Sequence, residues 1–351
     1  MKKNVSVLFG GKSSEYEVSL SSAYAMLSNI NREKYNISMI GITKEGEWHL
    51  YTGDIEHIRD GSWCTRTAEL CPILISPDNG ARRMFAVRDG ELSDLAPDVV
   101  FPMLHGRFGE DGQIQGMLSV MGVPVVGCMT ASSAACMDKA TTKAIVSELG
   151  VRQARFAVLR DGEDFCAAAD RAEREFGYPM FVKPACAGSS VGISKAHDRE
   201  ELMRAITLAL REDSKLLIEE MIVGCEMEVA ILEERGRCTV SVPAEIDVGS
   251  SDFYDYDTKY VSDVSSYYIP ARIPDASIDA VRTAAERIFR ALDCRTFSRV
   301  DFFCTPDGGI VFNEINTIPG FTPISMYPKL MIHEGIAYAE LIDRMIESAM
   351  G

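Results

Sequence analysis

Residues Thr296 to Gly320 read Thr-Phe-Ser-Arg-Val-Asp-Phe-Phe-Cys-Thr-Pro-Asp-Gly-Gly-Ile-Val-Phe-Asn-Glu-Ile-Asn-Thr-Ile-Pro-Gly. Two apolar runs flank Pro306-Asp307-Gly308-Gly309, whose residue types favour a four-residue hairpin loop pairing Thr305 with Ile310. Side chains alternate along a strand, so counting back in twos sets Asp301 opposite Glu314 and Arg299 opposite Asn316 on one face. Val300, Phe302, Cys304, Val311 and Ile315 then make the buried face.

Two carboxylates about 5 Å apart repel by roughly 3 kcal/mol at an effective dielectric of about 20, so the bare pair weakens the sheet and a bridging cation relieves it. Asp301, Glu314 and Asn316 are hard oxygen donors with no His or Cys among them. Such a set suits Mg²⁺ over zinc and leaves coordination places for substrate phosphates. Arg299 beside it is placed to neutralise a phosphoryl group in transfer. The competing reading is a solvated strand face on which Arg299 and Asp301 form a structural ion pair.

A chain of 351 residues exceeds what one core organises, so two or three domains are expected. With 46% hydrophobic and 25% charged residues it is globular, and a formal charge of -16 argues against nucleic acid or an anionic membrane surface as partner. Small molecules are the expected targets. Ten cysteines are scattered without a Cys-x-x-Cys pair, most in apolar runs such as Val126-Gly127-Cys128. They read as buried free thiols in a reducing compartment. The apolar run at the amino end stops after Phe9, too short for a signal peptide, and no run approaches a membrane span, so a cytoplasmic protein is expected.

Residues 4–9 read as a buried strand, followed by Gly10-Gly11 and a helix from about Glu15 to Ile30 with Ser14 and Glu17 as a capping box. Strands at 37–43, 98–104 and 124–126 alternate with helical stretches and predict a doubly wound α/β domain over 1–127. Ligands of such sheets gather beyond the strand carboxyl ends, where Gly10, Gly11, Glu15 and His105 fall. Over 128–223 the pattern becomes a small α+β lobe, with helices at 138–150 and 165–176 and strands at 155–159, 180–183 and 191–195. A third unit, 224–351, runs through the opening hairpin to a final helix over 336–350. The expected fold class is therefore multidomain, α/β and α+β.

Lys183-Pro-Ala-Cys-Ala-Gly-Ser-Ser-Val-Gly192 joins two strands through small residues, Ser189 and Ser190 among them, whose backbone amides can close on a phosphate. A plain hairpin turn is the alternative. Beside Lys139 and the hairpin acids, the nucleotide-lid reading gains. Gly11-Lys12-Ser13 imitates part of a P-loop, but Ser6 stands where that motif requires glycine, and the reading fails. Residues 217–222 form a strand running into Glu219 and Glu220, an edge suited to adenine through its backbone as far as Ile222, with Glu226 beyond it for ribose hydroxyls. A solvated acidic strand end is the plainer account. Glu15, in the first helical turn, is free to meet a ligand ammonium and is held ionised by the helix dipole. His105 ends its strand beside Gly106, where a structural histidine is the commoner case.

Gly10-Gly11-Lys-Ser-Ser-Glu15-Tyr-Glu17-Val-Ser, Leu104-His105-Gly106 with Gly109-Glu110-Asp111-Gly112, Met137-Asp138-Lys139, Gly188-Ser189-Ser190-Val191-Gly192 and Asn313-Glu314-Ile315-Asn316-Thr-Ile-Pro-Gly320 together resemble the D-alanine:D-alanine ligases of the ATP-grasp superfamily over nearly the whole chain. The resemblance implies an ATP-grasp architecture and a reaction in which ATP phosphorylates one D-alanine and the amine of a second attacks the acyl phosphate, for peptidoglycan synthesis. It also implies two Mg²⁺ or Mn²⁺ ions on Asp301, Glu314 and Asn316. By position Glu15 holds the first ammonium with Ser189 and Tyr260 in support, His105 lies near that substrate, and Arg299 with the Gly320 amide stabilises the tetrahedral intermediate. Lys139, Lys183, Ser190 and Lys259 fall to ATP, Glu219, Glu220 and Ile222 to its adenine, Glu226 to its ribose, and Ser325 to the second carboxylate. Asp257-Thr-Lys259-Tyr260, within a loop over 250–270, closes the site against water, and a homodimer is implied. For Tyr254, Tyr256 and Tyr260 the residues alone favour an ordinary exposed aromatic strand.

Ligases of vancomycin resistance share this fold but take D-serine or D-lactate second. Gly46-Glu-Trp48 and Tyr51-Thr-Gly53 are similar to the D-serine type, whereas Met326 stands where those ligases commonly carry Arg. A thioether suits a methyl group and gives a serine hydroxyl only a weak acceptor, which favours D-alanine. Pro323 departs from the polar residue usual at its position. The competing functions are a D-alanine:D-serine ligase and a small-molecule phosphotransferase without the amine step. A nucleotide sensor without catalysis is disfavoured, because no candidate metal ligand is missing.

Overall fold

Three sheets follow one another along the chain in the computed structural model, which describes residues 2–78, 83–188, 191–247 and 266–351. The first contains β1 (Lys3–Gly10), β2 (Tyr35–Ile42), β3 (Trp48–Tyr51), β4 (Leu70–Ile75), β5 (Met84–Arg88), β6 (Glu91–Asp94) and β7 (Val99–Pro102), in the order β6-β5-β4-β3-β2-β1-β7. β2, β1 and β7 are parallel, as the alternation of strands and helices requires. Val5, Val7 and Phe9 of β1 face the core with Leu20 and Met26 of helix Tyr16–Asn29, while Leu8 faces a second core with Leu118. Burial on both faces explains the unbroken apolar run.

The sheet then continues as an antiparallel meander from β2 to β6 that the sequence pattern had not suggested. Residues 124–126 contribute one parallel bridge, Val100 to Val125, in place of the expected strand. The expected Ser14–Glu17 capping box is also absent. Glu15 takes the N-cap position with no side-chain cap, its own N–H donates to Ser13 Oγ at 3.1 Å, and Glu17 pairs with Lys44 at the surface.

The second sheet is antiparallel, with β8 (Phe156–Arg160), β9 (Met180–Pro184), β10 (Ser194–Ala196) and β11 (Lys215–Glu220) in the order β10-β9-β11-β8. Helices Phe165–Glu175 and Arg199–Glu212 cover it, packing through Ala168, Ala169, Ala172, Ala205 and Ala209.

The third sheet holds β12 (Cys225–Glu234), β13 (Arg237–Val240), β14 (Ala244–Asp247), β15 (Ser266–Tyr268), β16 (Phe297–Cys304) and β17 (Ile310–Asn316). Helix Asp275–Ala291 packs on one face, joined by Cys136 and Val146 from the helices that precede the second sheet. On the other face Tyr327, Leu330, Leu341 and Ile342 share a core with Val7 and Phe101 of the first sheet. Phe101 meets Phe297 edge to face at 6.1 Å, so the first and third sheets are packed into one body.

The β16–β17 hairpin departs from the expected turn and still reaches the expected register. Cys304, rather than Thr305, pairs with Ile310, and Thr305 N–H closes a longer loop onto Gly309 O at 2.8 Å. After three regular pairs a bulge at Asn313 absorbs the difference, so that Phe302 faces Phe312 while Asp301 faces Glu314 and Arg299 faces Asn316. The bulge changes the core partner: Phe312 takes the place expected for Val311 and stacks edge to face on Phe302 at 5.9 Å.

Candidate active site

One row across three strands carries the acids. Glu228 of β12 lies opposite Asp301 of β16, which lies opposite Glu314 of β17. In the next row Arg299 donates two hydrogen bonds of 2.8 Å to Asp301 and reaches Glu228 at 3.2 Å, while Asn316 Nδ2 donates to Asp301 at 3.0 Å. Carboxylate repulsion is thus relieved by a guanidinium, and the ion pair weighed against a metal site is present. Burial pulls the Arg299 pKa down, but Asp301 and Glu228 outweigh it and hold the group well above its usual range. Among the described residues no group of three His, Cys, Asp or Glu side chains is arranged to hold a metal. The donor chemistry nevertheless fits Mg²⁺: Asp301 has lone pairs beyond those Arg299 and Asn316 use, and the Asn316 amide oxygen is not the atom spent on Asp301.

Beside this row lies a cavity of about 150 Å³ whose wall includes Glu15, His105, Arg299, Gly320, Ser325 and Met326. Glu15 is 7% exposed, wedged between Gly106 and Gly188. A methyl on either glycine would stand 2.4 or 2.5 Å from Glu15 Oε2, and Gly106 also holds φ +71. His105 is fixed at both nitrogens: Nδ1–H donates to Ile318 O at 2.9 Å, and Nε2 accepts from Ser22 Oγ at 3.0 Å. Ser22 Oγ in turn accepts from Phe321 N–H at 3.2 Å. Burial lowers His105 to about 4, so it is neutral at physiological pH and ties the turn over 318–321 to the first helix. Glu110 accepts from Gly106 N–H at 2.6 Å and Ile318 N–H at 3.2 Å, yet burial and the neighbouring Glu15 push it up to about 8. At the far end Ser325 accepts from Thr322 N–H at 3.1 Å, and Met326 is 9% exposed.

A second cavity, about 480 Å³, opens between the second and third sheets and is lined by Lys183, Glu219, Glu220, Ile222 and Glu226. Glu219 is held between Lys183 at 2.8 Å and Lys143 at 3.0 Å. Burial alone would raise its pKa; the two lysines outweigh burial and bring it to about 2. Glu220 turns away toward Arg155 at 2.6 Å. Lys139 falls on the first cavity, donating to Ala187 O at 2.7 Å with Glu314 at 3.9 Å. The two cavities share Ile193 and Glu314 as walls, so a ligand in one adjoins a ligand in the other.

Ser189, Ser190, Lys259 and Tyr260, and with them residues 248–265 of the expected closing loop, lie outside the described residues. Glu228 and Lys143 were not singled out from the sequence, and Glu110 was read only as part of Gly109-Glu110-Asp111-Gly112, without a role. Strand alternation from Glu226 points to Glu228, and helical spacing from Lys139 points to Lys143. Glu110 earns its place only through the distant Ile318. All ten cysteines are free thiols, but Cys166 and Cys186 are exposed, against the expectation of burial. Among the described residues no helix is long and apolar enough to cross a membrane.

Residues 4–128 match the family model described as D-ala D-ala ligase N-terminus, and residues 145–347 match D-ala D-ala ligase C-terminus. A D-alanine–D-alanine ligase of Caldicellulosiruptor bescii is 47% identical, over 99% of this chain and 95% of that protein. Among solved structures, the VanG D-Ala:D-Ser ligase from Enterococcus faecalis is 42% identical with a TM-score of 0.90, covering 99% of this chain and all of the other. The D-alanine–D-alanine ligase from Bacillus anthracis complexed with ATP is 25% identical with a TM-score of 0.73, over 99% of this chain and 97% of that one.

Proposed function

The chain belongs to the D-alanine–D-alanine ligase family, and we propose on that premise that it joins two D-alanines with consumption of ATP, the first through its ammonium on Glu15 and the second beside Met326. The observation that carries this reading is the common wall of the two cavities at Glu314, which sets an amino-acid pocket against a nucleotide cleft. A carboxylate is a poor electrophile, and transfer of the γ-phosphoryl group to it creates the leaving group that the second amine displaces.

Glu15, boxed in by Gly106 and Gly188, supplies a fixed anion for the first ammonium. Arg299, inside the wall with Gly320, stabilises negative charge that develops on the reacting carboxyl carbon's oxygens. His105 orients the 318–321 turn that presents Gly320 and does not exchange protons near neutral pH. Lys183 reaches the phosphates from the cleft and Lys139 from the amino-acid side. Glu220 and Ile222 offer adenine their backbone, and Glu226 offers the ribose its carboxylate. Asp301, Glu314 and Asn316 would hold Mg²⁺ or Mn²⁺, up to two ions. When bound, such ions neutralise phosphate charge. Ser189, Ser190, Lys259 and Tyr260 keep the roles that the resemblance gives them.

We assign the first substrate mainly to residues 1–127 and the nucleotide to 128–223 and 224–351, in a cytoplasmic homodimer. A D-serine-adding ligase is the second reading, favoured by the likeness to a D-Ala:D-Ser ligase. Met326 opposes it, because a buried thioether gives a hydroxyl little to bond. The test is product mass from purified protein with ATP, Mg²⁺ and D-alanine, with and without D-serine or D-lactate. D-alanyl-D-alanine with stoichiometric ADP and phosphate supports the proposal. A mixed dipeptide as main product supports the second reading, and ADP with one phosphorylated substrate and no peptide contradicts both.

A further inference from the structure

Lys143 lies one helical turn beyond Lys139 on helix Lys139–Glu148 and is 2% exposed. Lysine is among the residues least often buried, and a buried ammonium persists only with a partner. Its partner is Glu219, whose Oε1 stands 3.0 Å from Lys143 Nζ while its Oε2 stands 2.8 Å from Lys183 Nζ. The surroundings repeat on either side of that carboxylate. Glu219 of β11 lies in register between Phe156 of β8 and Phe181 of β9. Lys143 Nζ sits 5.3 Å from the Phe156 ring centroid and Lys183 Nζ 6.0 Å from that of Phe181. The lysines differ in what they can reach. Lys183 lines the nucleotide cleft and also approaches Asn313 Oδ1 of the hairpin at 3.4 Å, whereas Lys143 is walled off from the cleft.

A phosphate entering the cleft draws the Lys183 ammonium toward itself. If Lys183 were the sole partner of Glu219, that movement would leave a buried carboxylate uncompensated, a heavily penalised state. We propose that Lys143 is a positioning residue for ATP: a standing counter-ion that keeps Glu219 neutralised while Lys183 transfers its charge from Glu219 to a phosphate. In this arrangement Glu219 parks Lys183 at the mouth of the cleft before the nucleotide arrives, and Lys143 makes the release inexpensive. Burial lowers the Lys143 pKa while Lys183 is raised by the same carboxylate against its own burial, consistent with Lys143 as the enclosed member that stays and Lys183 as the one whose charge is available.

The inference rests on the reading of this cleft as the ATP site, so the test separates the two. Binding of a fluorescent ATP analogue to the full-length wild type comes first; no binding overturns the functional reading. With wild-type binding in hand, Lys143→Met is expected to raise KM for ATP by about tenfold, while KM for D-alanine stays within about twofold. In the Glu219→Gln background the same change is expected to be harmless or favourable, because Lys143 then has no carboxylate to neutralise. Lys143→Arg, which keeps the charge, is expected within about threefold of the wild-type KM for ATP. An unchanged ATP KM in Lys143→Met overturns the proposal, as does an equal loss in both backgrounds or an Arg variant as poor as the Met variant. Should Lys143→Met alone fail to fold, Glu219→Gln against the double variant still supplies the decisive pair.

Discussion

Glu219 in the nucleotide cleft and Glu110 behind the amino-acid cavity are both enclosed carboxylates, and their surroundings drive them apart. Glu219 comes down to about 2 and Glu110 goes up to about 8. Burial opposes ionisation in both; what differs is the neighbour. Lys183 and Lys143 outweigh burial at Glu219, whereas Glu15 adds to it at Glu110, even though two backbone N–H groups point at that carboxylate. Glu219 is therefore charge-compensated before a nucleotide enters, whereas Glu110 holds its proton near neutral pH beside the Glu15 carboxylate. One half of the site stores a cation for a phosphate, and the other stores an anion for an amine.

The largest effect is expected where the halves meet. Glu314→Gln removes a charge from the wall common to both cavities and is expected to lower kcat by about a hundredfold or more, with saturating Mg²⁺ failing to restore it. Near-normal turnover in a steady-state assay would break the hairpin assignment. Gly106→Ala should separate the halves, because its new methyl meets Glu15 and nothing in the cleft. KM for the first D-alanine is expected to rise about tenfold or more, with KM for ATP within about twofold. A parallel rise in both constants would show that the cavities are not independent.

Met326→Arg acts at the far wall of the amino-acid cavity and is expected to move kcat/KM toward D-serine over D-alanine by several-fold, about 1 kcal/mol, measured by competition between the two. An unchanged ratio removes the argument from the thioether. The smallest effect is on stability. Burial and Glu15 raise the folded pKa of Glu110 from its ordinary 4.5 to about 8, so the folded state binds more protons between those values. Its stabilising contribution is fully present below about 4.5 and lost as pH rises through about 8. Between pH 6 and pH 9 the wild-type Tm is expected to fall more than that of Glu110→Gln, by about 2 °C or more. Equal slopes would mean that Glu110 is ionised throughout and that its surroundings differ little from those of Glu219 in their effect.

What was legible in the sequence follows the range of the interactions. The acids of β16 and β17 share a face because strand alternation is local, and the pairing survived an error at the turn only because a bulge at Asn313 cancelled it. Asn313 looks like any strand residue until the partner strand is present. The parallel strands β2, β1 and β7 were readable from continuous apolar runs, but the β3–β6 meander was not: its strands are short, and β6 is exposed along its whole length. β7 ends at Pro102, so His105 lies three residues beyond its strand and not at the end of one running to 104. Its fixation by Ile318, and the contact of Glu110 with the same turn, join residues more than 200 positions apart, and Ser22 reaches it from 83 positions away, none of which a local pattern encodes. The capping box failed for a similar reason, since Lys44 takes Glu17 and Ser13 takes the Glu15 N–H.

The most direct measurement is anomalous scattering from Mn²⁺ in crystals grown with nucleotide. The account predicts a peak between the Asp301 and Glu314 carboxylates, with Asn316 among the ligands and Lys183 turned from Glu219 toward a phosphate. Nucleotide bound without a peak there, and with Asp301 occupied only by Arg299 and Asn316, would contradict it.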